Sequence, residues 1–273
     1  MIVEAKKYLQ AGLIAARNLV IGTNLASFSL IFRPARFVEV VSTLLFYFKT
    51  LAGHDRLEQR NPQVFFKHPR EYEISIDTDY YFWGNDPSYT KDIVTLCMLP
   101  KLMEARRIFE IGTLDGYTSE HFAMNSFEST EVFSLDLPLD QSKLHLSTTL
   151  LDDNHRKAHS SVKNYRFDNT PWLSKVHLLF GDSAKYDFSP FHNSIDLFFI
   201  DGAHSYEYVK SDTQNAIRCC RDGGMVVWHD YGRMGVNGVS RYLHELSANG
   251  CRIYSVPGSS LAYHFVANGR GTA

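Results

Sequence analysis

The segment Ile195–Asp201 (IDLFFID) is an unbroken apolar run closed by an acidic residue, and it constrains the fold more than any other part of the chain. A strand that is apolar at every position, rather than at alternate ones, has both faces buried. Four shorter segments read the same way: Arg107–Ile111 (RIFEI), Glu131–Asp136 (EVFSLD), Val176–Gly181 (VHLLFG) and Met225–Asp230 (MVVWHD). Helical stretches separate them. Thr118–Phe127 is one, and a second follows Ser205, which caps it, with Val209, Thr213, Ala216, Ile217 and Cys220 on a common face. Asp222-Gly223-Gly224 is expected to end that helix, since glycine takes the left-handed C-terminal geometry without penalty. Val239–Ala248 is a further helix. Cys251–Val256 and Leu261–Val266 flank Pro257-Gly258-Ser259-Ser260 and read as a closing hairpin. Alternating buried strands and helices predict an α/β fold, a doubly wound parallel sheet covered on both faces.

The first part of the chain follows a different pattern. Phe37, Val38, Val41, Leu44, Leu45 and Phe48 recur at three- and four-residue steps, as on one face of a helix. The uncharged run Asn18–Phe32 is shorter than the ~20 apolar residues a membrane span needs. It reads as a buried helix, with interfacial membrane contact as the minor alternative. Lys6 and Lys7 before the apolar stretch Ala11–Ala16 weakly resemble a signal peptide, but Arg17 interrupts it and no small-residue cleavage site follows. The polar stretch Gly53–Arg70, with its Asn61-Pro62 turn, is the expected linker. The division is therefore an N-terminal helical extension and linker over 1–70 and an α/β domain over 71–273. A formal charge of -2 leaves no electrostatic case for a nucleic-acid partner. Cys97, Cys219, Cys220 and Cys251 form no CxxC pair, which argues against a zinc site or disulfide framework and for a reducing, cytoplasmic setting.

In doubly wound sheets ligands bind beyond the carboxyl ends of the strands. Here those ends carry Glu110, Asp136, Gly181-Asp182, Asp201 and His229-Asp230. A loop carboxylate or helix cap accounts for any one of them, but not readily for acidic residues at every end. After the first apolar strand the loop runs Glu110-Ile111-Gly112-Thr113-Leu114-Asp115-Gly116-Tyr117. Gly112 and Gly116 allow the backbone to turn and approach a ligand. Leu114 breaks the glycine spacing of a dinucleotide loop, and Asp115 would repel a diphosphate. Glu110 and Asp115 suit instead a ligand bearing an ammonium and a sulfonium. Asp136, twenty residues beyond Gly116, is placed to accept ribose hydroxyls, and Asp182 to accept from an adenine amino group with Ser183 beside it.

The motifs FEIGTLDGYTS, SLDLP, GDSAKYDF, IDLFFIDGAHSYEYVKSD and GGMVVWHDYG resemble class I S-adenosylmethionine-dependent methyltransferases, in particular the methyltransferase-24 type. The resemblance covers about Ile108 to Val266 and leaves out the N-terminal helices. It implies a Rossmann-like seven-stranded sheet of order 3-2-1-4-5-7-6 with strand seven antiparallel. It assigns Glu110, Gly112, Gly116, Asp136, Asp182 and Ser183 to the cofactor, S-adenosylmethionine, and Thr113, Asp115 and Asp201 are expected to contact it as well. Cation-dependent O-methyltransferases place an aspartate at the end of strand four, a basic residue three positions on, and a carboxylate at the end of strand five. Asp201, His204 and Asp230 match that pattern, and sugar-modifying members are similar in having histidine as the base. The resemblance thus implies a divalent ion, Mg²⁺ or Mn²⁺, on Asp201 and Asp230, with His204 as general base toward a small-molecule or sugar hydroxyl. His229 departs from it, because the relatives tend to carry an acidic residue there. Its place is open between a partner that orients the neighbouring site residues and a substrate contact.

Tyr80, Tyr81, Phe82 and Trp83 are expected to pack in the core or to line the pocket. Leu137–Lys175 carries no readable motif and, with the N-terminal helices, is where acceptor specificity would lie. Two other readings compete with methyl transfer. One is a non-catalytic cofactor-binding or scaffold module; the other is a dehydrogenase, which Leu114 and Asp115 disfavour. The expected partner is a small molecule, a sugar or natural product, and self-association is left open.

Overall fold

The computed structural model describes residues 57–66, 73–77, 87–138, 144–149, 152–153, 164–233 and 236–267, with single helical positions between 17 and 48. In chain order the elements are β1 (Glu58–Gln59), α1 (Pro87–Leu102), β2 (Arg107–Ile111), α2 (Tyr117–Met124), β3 (Glu131–Asp136), β4 (Val176–Phe180), β5 (Ile195–Ile200), α3 (Tyr206–Cys219), β6 (Cys220–Trp228), α4 (Asn237–Ala248), β7 (Tyr254–Ser255) and β8 (Ala262–Phe265). They form one mixed sheet of order β1-β7-β8-β6-β5-β2-β3-β4. β8 runs antiparallel to both neighbours, β6 and β7, and the remaining pairs are parallel.

The continuous apolar strands are explained by what covers them. Every residue of β5 is buried. Phe109, Phe198 and Trp228 point to one face, where Val209 and Ala216 of α3 and Val239 and Leu243 of α4 meet them. Ile108, Leu197, Phe199 and Val227 point to the other, against Leu96 and Leu99 of α1 and Phe122 of α2. Phe109 and Phe198 stack at 4.8 Å between ring centroids. Successive residues of a strand alternate faces, so a sheet with two apolar layers needs an apolar residue at each step.

Four expectations are corrected. The sheet has eight strands rather than seven, and its order differs by the added edge strand β1 beside β7. That strand lies within the stretch expected as a linker, where Leu57 is buried and Arg60 N donates to Ser255 O. The third correction concerns Asp222-Gly223-Gly224, which does not end α3. The helix stops at Cys219, Cys220 is already extended, and the two glycines lie inside an irregular stretch of β6. There Gly223 N donates to Val266 O, and a Cβ on Gly224 would lie 3.0 Å from Ile195 O. The fourth is the buried helix over Asn18–Phe32. At the positions described it is helical but exposed, Val20 by 60% and Ile21 by 43%. Thr23, Asn24 and Ser27 turn their side chains back onto carbonyls of their own helix. In the next helical stretch Phe37, Val41, Leu44 and Phe48 are half-buried, while Leu45, expected on the same face, is exposed. The helical extension as a unit, the Tyr80–Trp83 cluster and residues 139–143, 150–151 and 154–163 lie outside the described residues. Among the described residues no helix is long and apolar enough to cross a membrane.

Candidate active site

Two groups of residues stand at the carboxyl edge of the sheet. The first gathers around the loop after β2. Gly112 has φ +99°, and a Cβ there would lie 2.2 Å from the carbonyl oxygen of Asp201. Gly116 has φ +84°, and its Cβ would strike the Phe167 ring at 2.5 Å. Both glycines are therefore demanded by backbone conformation and close packing before any ligand is considered. Leu114 also has positive φ, and its N–H donates to Asp136 Oδ2 at 2.7 Å. The other Asp136 oxygen accepts from Leu137 N at 2.7 Å. Asp136 thus braces the loop from the neighbouring strand.

Glu110 lies under the loop, fully buried. Ser119 and Ser134 both donate to its Oε2, and Thr113 Oγ1 is 2.7 Å from Ser134 Oγ. Its Oε1 has no hydrogen-bond partner. Burial raises the carboxyl to about 8, since the two hydroxyls only partly offset the loss of water. An unpartnered buried acceptor at this point suits a cationic ligand group, the first structural sign that the loop fits the expected cofactor. Asp115 departs from its expected role: Arg166 Nε donates to its Oδ2 at 2.6 Å, so its charge is already met within the protein. Asp182 is similarly occupied. It accepts from His145 N and Nδ1 (2.9 and 2.8 Å), Ala184 N (3.0 Å) and the Tyr208 hydroxyl (2.9 and 3.0 Å). Burial would raise its pKa, but these donors hold it below the ordinary range. An adenine amino group would have to replace one of them. Ser183 is buried beside it.

The second group surrounds the ends of β5 and β6, where Ile200, Asp201, Gly202, His204, Trp228 and His229 bound a small cavity. His204 is buried between two carboxylates, with Nδ1 2.6 Å from Asp152 Oδ1 and Nε2 2.8 Å from Asp230 Oδ2. Its backbone N–H also donates to Asp152 Oδ1 at 2.9 Å. Burial would lower the imidazole, but Asp152 and Asp230 together raise it to about 10, well above the ordinary 6.5 expected from sequence. His229 Nδ1 lies 3.1 Å from Asp201 Oδ1 and 3.3 Å from Asp230 Oδ1, and Nε2 lies 3.4 Å from Asp92 Oδ2. Asp230 adopts φ +61°, a left-handed conformation that costs energy outside glycine and turns its carboxylate toward both imidazoles. Arg233 reaches Asp230 through Nε at 2.9 Å and Asp92 at 3.3 Å, and stacks on Tyr89 at 3.9 Å.

The structure brings together the sequence-selected Asp201, His204 and Asp230, and adds His229 as a participant in the same cluster. Asp92, Asp152, Arg233, His145, Arg166 and Tyr208 were not selected. Asp92 belongs to α1, ahead of the first long strand, and Asp152 to the stretch without a motif, so no local pattern marks either. One atom each from Asp201, His229 and Asp230 lie within 4.8 Å of one another, close enough to share a metal ion.

Residues 109–231 match a family model described as a methyltransferase domain. Over this stretch, somewhat under half of the chain, the sequence is similar to that family, in agreement with the resemblance to the methyltransferase-24 type drawn from its motifs. No curated protein matches the chain. Among solved structures it is similar to a putative O-methyltransferase from Klebsiella pneumoniae, at 17% identity, 70% of this chain, 84% of that one and a TM-score of 0.47. It is also similar to the O-methyltransferase TomG from Streptomyces achromogenes, involved in tomaymycin synthesis and in complex with SAM: 18% identity, 65% and 80% coverage, TM-score 0.46. An O-methyltransferase from Bacillus cereus in complex with SAH aligns over 88% of this chain and 95% of that one, at 15% identity and a TM-score of 0.43.

Proposed function

We propose that this domain transfers the methyl group of S-adenosylmethionine to a hydroxyl of a small molecule, a sugar or natural product, with His204 taking the hydroxyl proton. The observation that carries the reading is the clamp on His204. Asp152 holds Nδ1, which fixes the ring and presents Nε2 toward Asp230 at the carboxyl edge of the sheet. In the reaction the acceptor oxygen forms a bond to the methyl carbon as the carbon–sulfur bond breaks. The hydroxyl proton goes to Nε2, and the electron pair stays on sulfur as the neutral thioether.

The clamp also sets a condition. An imidazole raised to about 10 holds its proton at neutral pH, so Nε2 accepts one only after the acceptor hydroxyl has displaced Asp230 and the proton already on Nε2 has left to bulk water. Once that carboxylate is withdrawn, Asp152 alone supports the imidazolium and the basicity of Nε2 falls toward the useful range. On the cofactor side, Glu110 Oε1 offers a buried acceptor to the ammonium, and Asp136 faces the same loop for the ribose. Asp201, His229 and Asp230 are the residues that would hold a divalent ion, and His229 Nδ1, buried beside both carboxylates, fits such a role. Such an ion would lower the pKa of the acceptor hydroxyl and orient it.

The test is turnover of a panel of hydroxylated acceptors by wild-type and His204→Ala protein, with S-adenosylhomocysteine binding followed by calorimetry. A loss of ~10² to 10⁴ in turnover with product binding retained is expected. Near-normal turnover in the variant removes His204 from the chemistry.

A further inference from the structure

The cluster at the ends of β5 and β6 places one imidazole nitrogen between two carboxylates. His229 Nδ1 is buried, has no aligned hydrogen bond, and lies 3.1 and 3.3 Å from carboxylate oxygens of Asp201 and Asp230. A cation shared by Nδ1, Asp201 and Asp230 would take the place of these imperfectly aligned contacts. Its other nitrogen, Nε2, faces Asp92 Oδ2 at 3.4 Å. Asp92 itself cannot turn away. Ser259 Oγ (2.6 Å) and Ser260 N (2.8 Å) donate to its Oδ1, and Ser260 Oγ donates to Oδ2 at 2.7 Å.

We propose that His229 is a metal ligand through Nδ1, that Asp92 is its positioning partner, and that this set of one imidazole and two carboxylates takes a first-row transition dication in preference to Mg²⁺. The inference rests on the reading that Asp201 and Asp230 hold a cation. A carboxylate on the far nitrogen of a ligating histidine fixes the tautomer, here Nε2–H toward Asp92, and leaves Nδ1 unprotonated for the metal. Mg²⁺ requires oxygen donors and loses its water reluctantly, whereas imidazole suits Fe²⁺, Ni²⁺, Cu²⁺ and Zn²⁺, and affinity at a mixed site rises from Mn²⁺ through Co²⁺. The charge balance also leans toward a cation. Four carboxylates, Asp92, Asp152, Asp201 and Asp230, converge here on three groups able to carry positive charge, His204, His229 and Arg233. The site therefore departs from an all-oxygen set at one position, and that position selects the metal.

The experiment titrates Mn²⁺ into the full-length protein and follows the free-ion electron paramagnetic resonance signal, with Mg²⁺ and Co²⁺ as competitors. Electron spin-echo modulation then reports whether a nitrogen is bound to the manganese. Wild type is expected to show directly bound nitrogen and at least tenfold weaker competition by Mg²⁺ than by Co²⁺. His229→Ala should lose the nitrogen modulation, and Asp92→Asn should bind Mn²⁺ roughly 10- to 100-fold more weakly. Undiminished S-adenosylhomocysteine binding in each variant shows that it is folded. If Asp201→Asn and Asp230→Asn abolish Mn²⁺ binding while His229→Ala keeps wild-type affinity, the His229 assignment fails and the cation reading stands. If wild type binds no Mn²⁺, both fail. Equal competition by Mg²⁺ overturns the selectivity.

Discussion

The two halves of the sheet edge treat their carboxylates differently. Around β2, β3 and β4, acidic groups are met chiefly by neutral donors. Glu110 has two hydroxyls, Asp136 two backbone amides, and Asp182 amides, a tyrosine hydroxyl and His145. Around β5 and β6 they are met by side chains that can carry positive charge, His204, His229 and Arg233. Neutral donors leave the protonation of an acid to its burial and to the ligand that binds there. Titratable partners can give up or exchange protons. On the function proposed above, the first half would hold the cofactor and the second would move a proton. The exception is Asp115, whose charge meets that of Arg166.

The strongest break of this comparison is at the seam between the halves, where Gly112 packs on the Asp201 carbonyl. Gly112→Ala combines a forbidden φ with a 2.2 Å contact on backbone. It should cost on the order of 3 kcal/mol or more, seen as a large fall in thermal midpoint. An unchanged midpoint would mean that the two halves separate freely.

A sharper probe of the cofactor half is Glu110→Gln. The folded carboxyl is raised to about 8 from an ordinary 4.5, so between those values the folded protein holds a proton that the unfolded chain has released. Stability therefore falls as pH rises through that window, by about 1.4 kcal/mol per unit at most, and is flat above it. Glutamine removes this slope. Denaturant unfolding between pH 5 and 9 should show wild type losing stability relative to the variant up to about pH 8. Parallel curves would place water or a permanent charge beside Glu110.

The smallest effect belongs to the exception. Arg166→Ala breaks a pair whose side chains are 24% and 33% exposed. The expected loss is about 0.5 kcal/mol, shrinking with added salt. A loss several times larger, insensitive to salt, would show that Asp115 holds the loop in shape rather than merely being neutralised.

These contrasts also mark what could be read from the chain. The strands from β2 to β6 were legible because both faces are covered, which forces apolar residues at consecutive positions. Acidic residues at their ends were legible because the end of a strand is a fixed place in sequence. The edge strand β1 escaped notice: two exposed residues, Glu58 and Gln59, carry no hydrophobic signature and pair through their backbone. The glycines after α3 misled for a related reason. A left-handed turn is compatible with a helix end or a strand irregularity, and only the partners Val266 and Ile195 distinguish them.

By itself the sequence determined which residues bear charge at the sheet edge and in what order: Glu110, Asp136, Asp182, Asp201, His204, His229 and Asp230. The tertiary structure decided what each of them meets. Asp152 lies 52 residues before His204, Asp92 lies in α1, and Arg166 lies 51 residues beyond Asp115. Strand and helix periodicity are local properties written in neighbouring residues. The protonation and availability of a buried side chain depend on whatever the rest of the chain folds against it, and that partner has no fixed spacing.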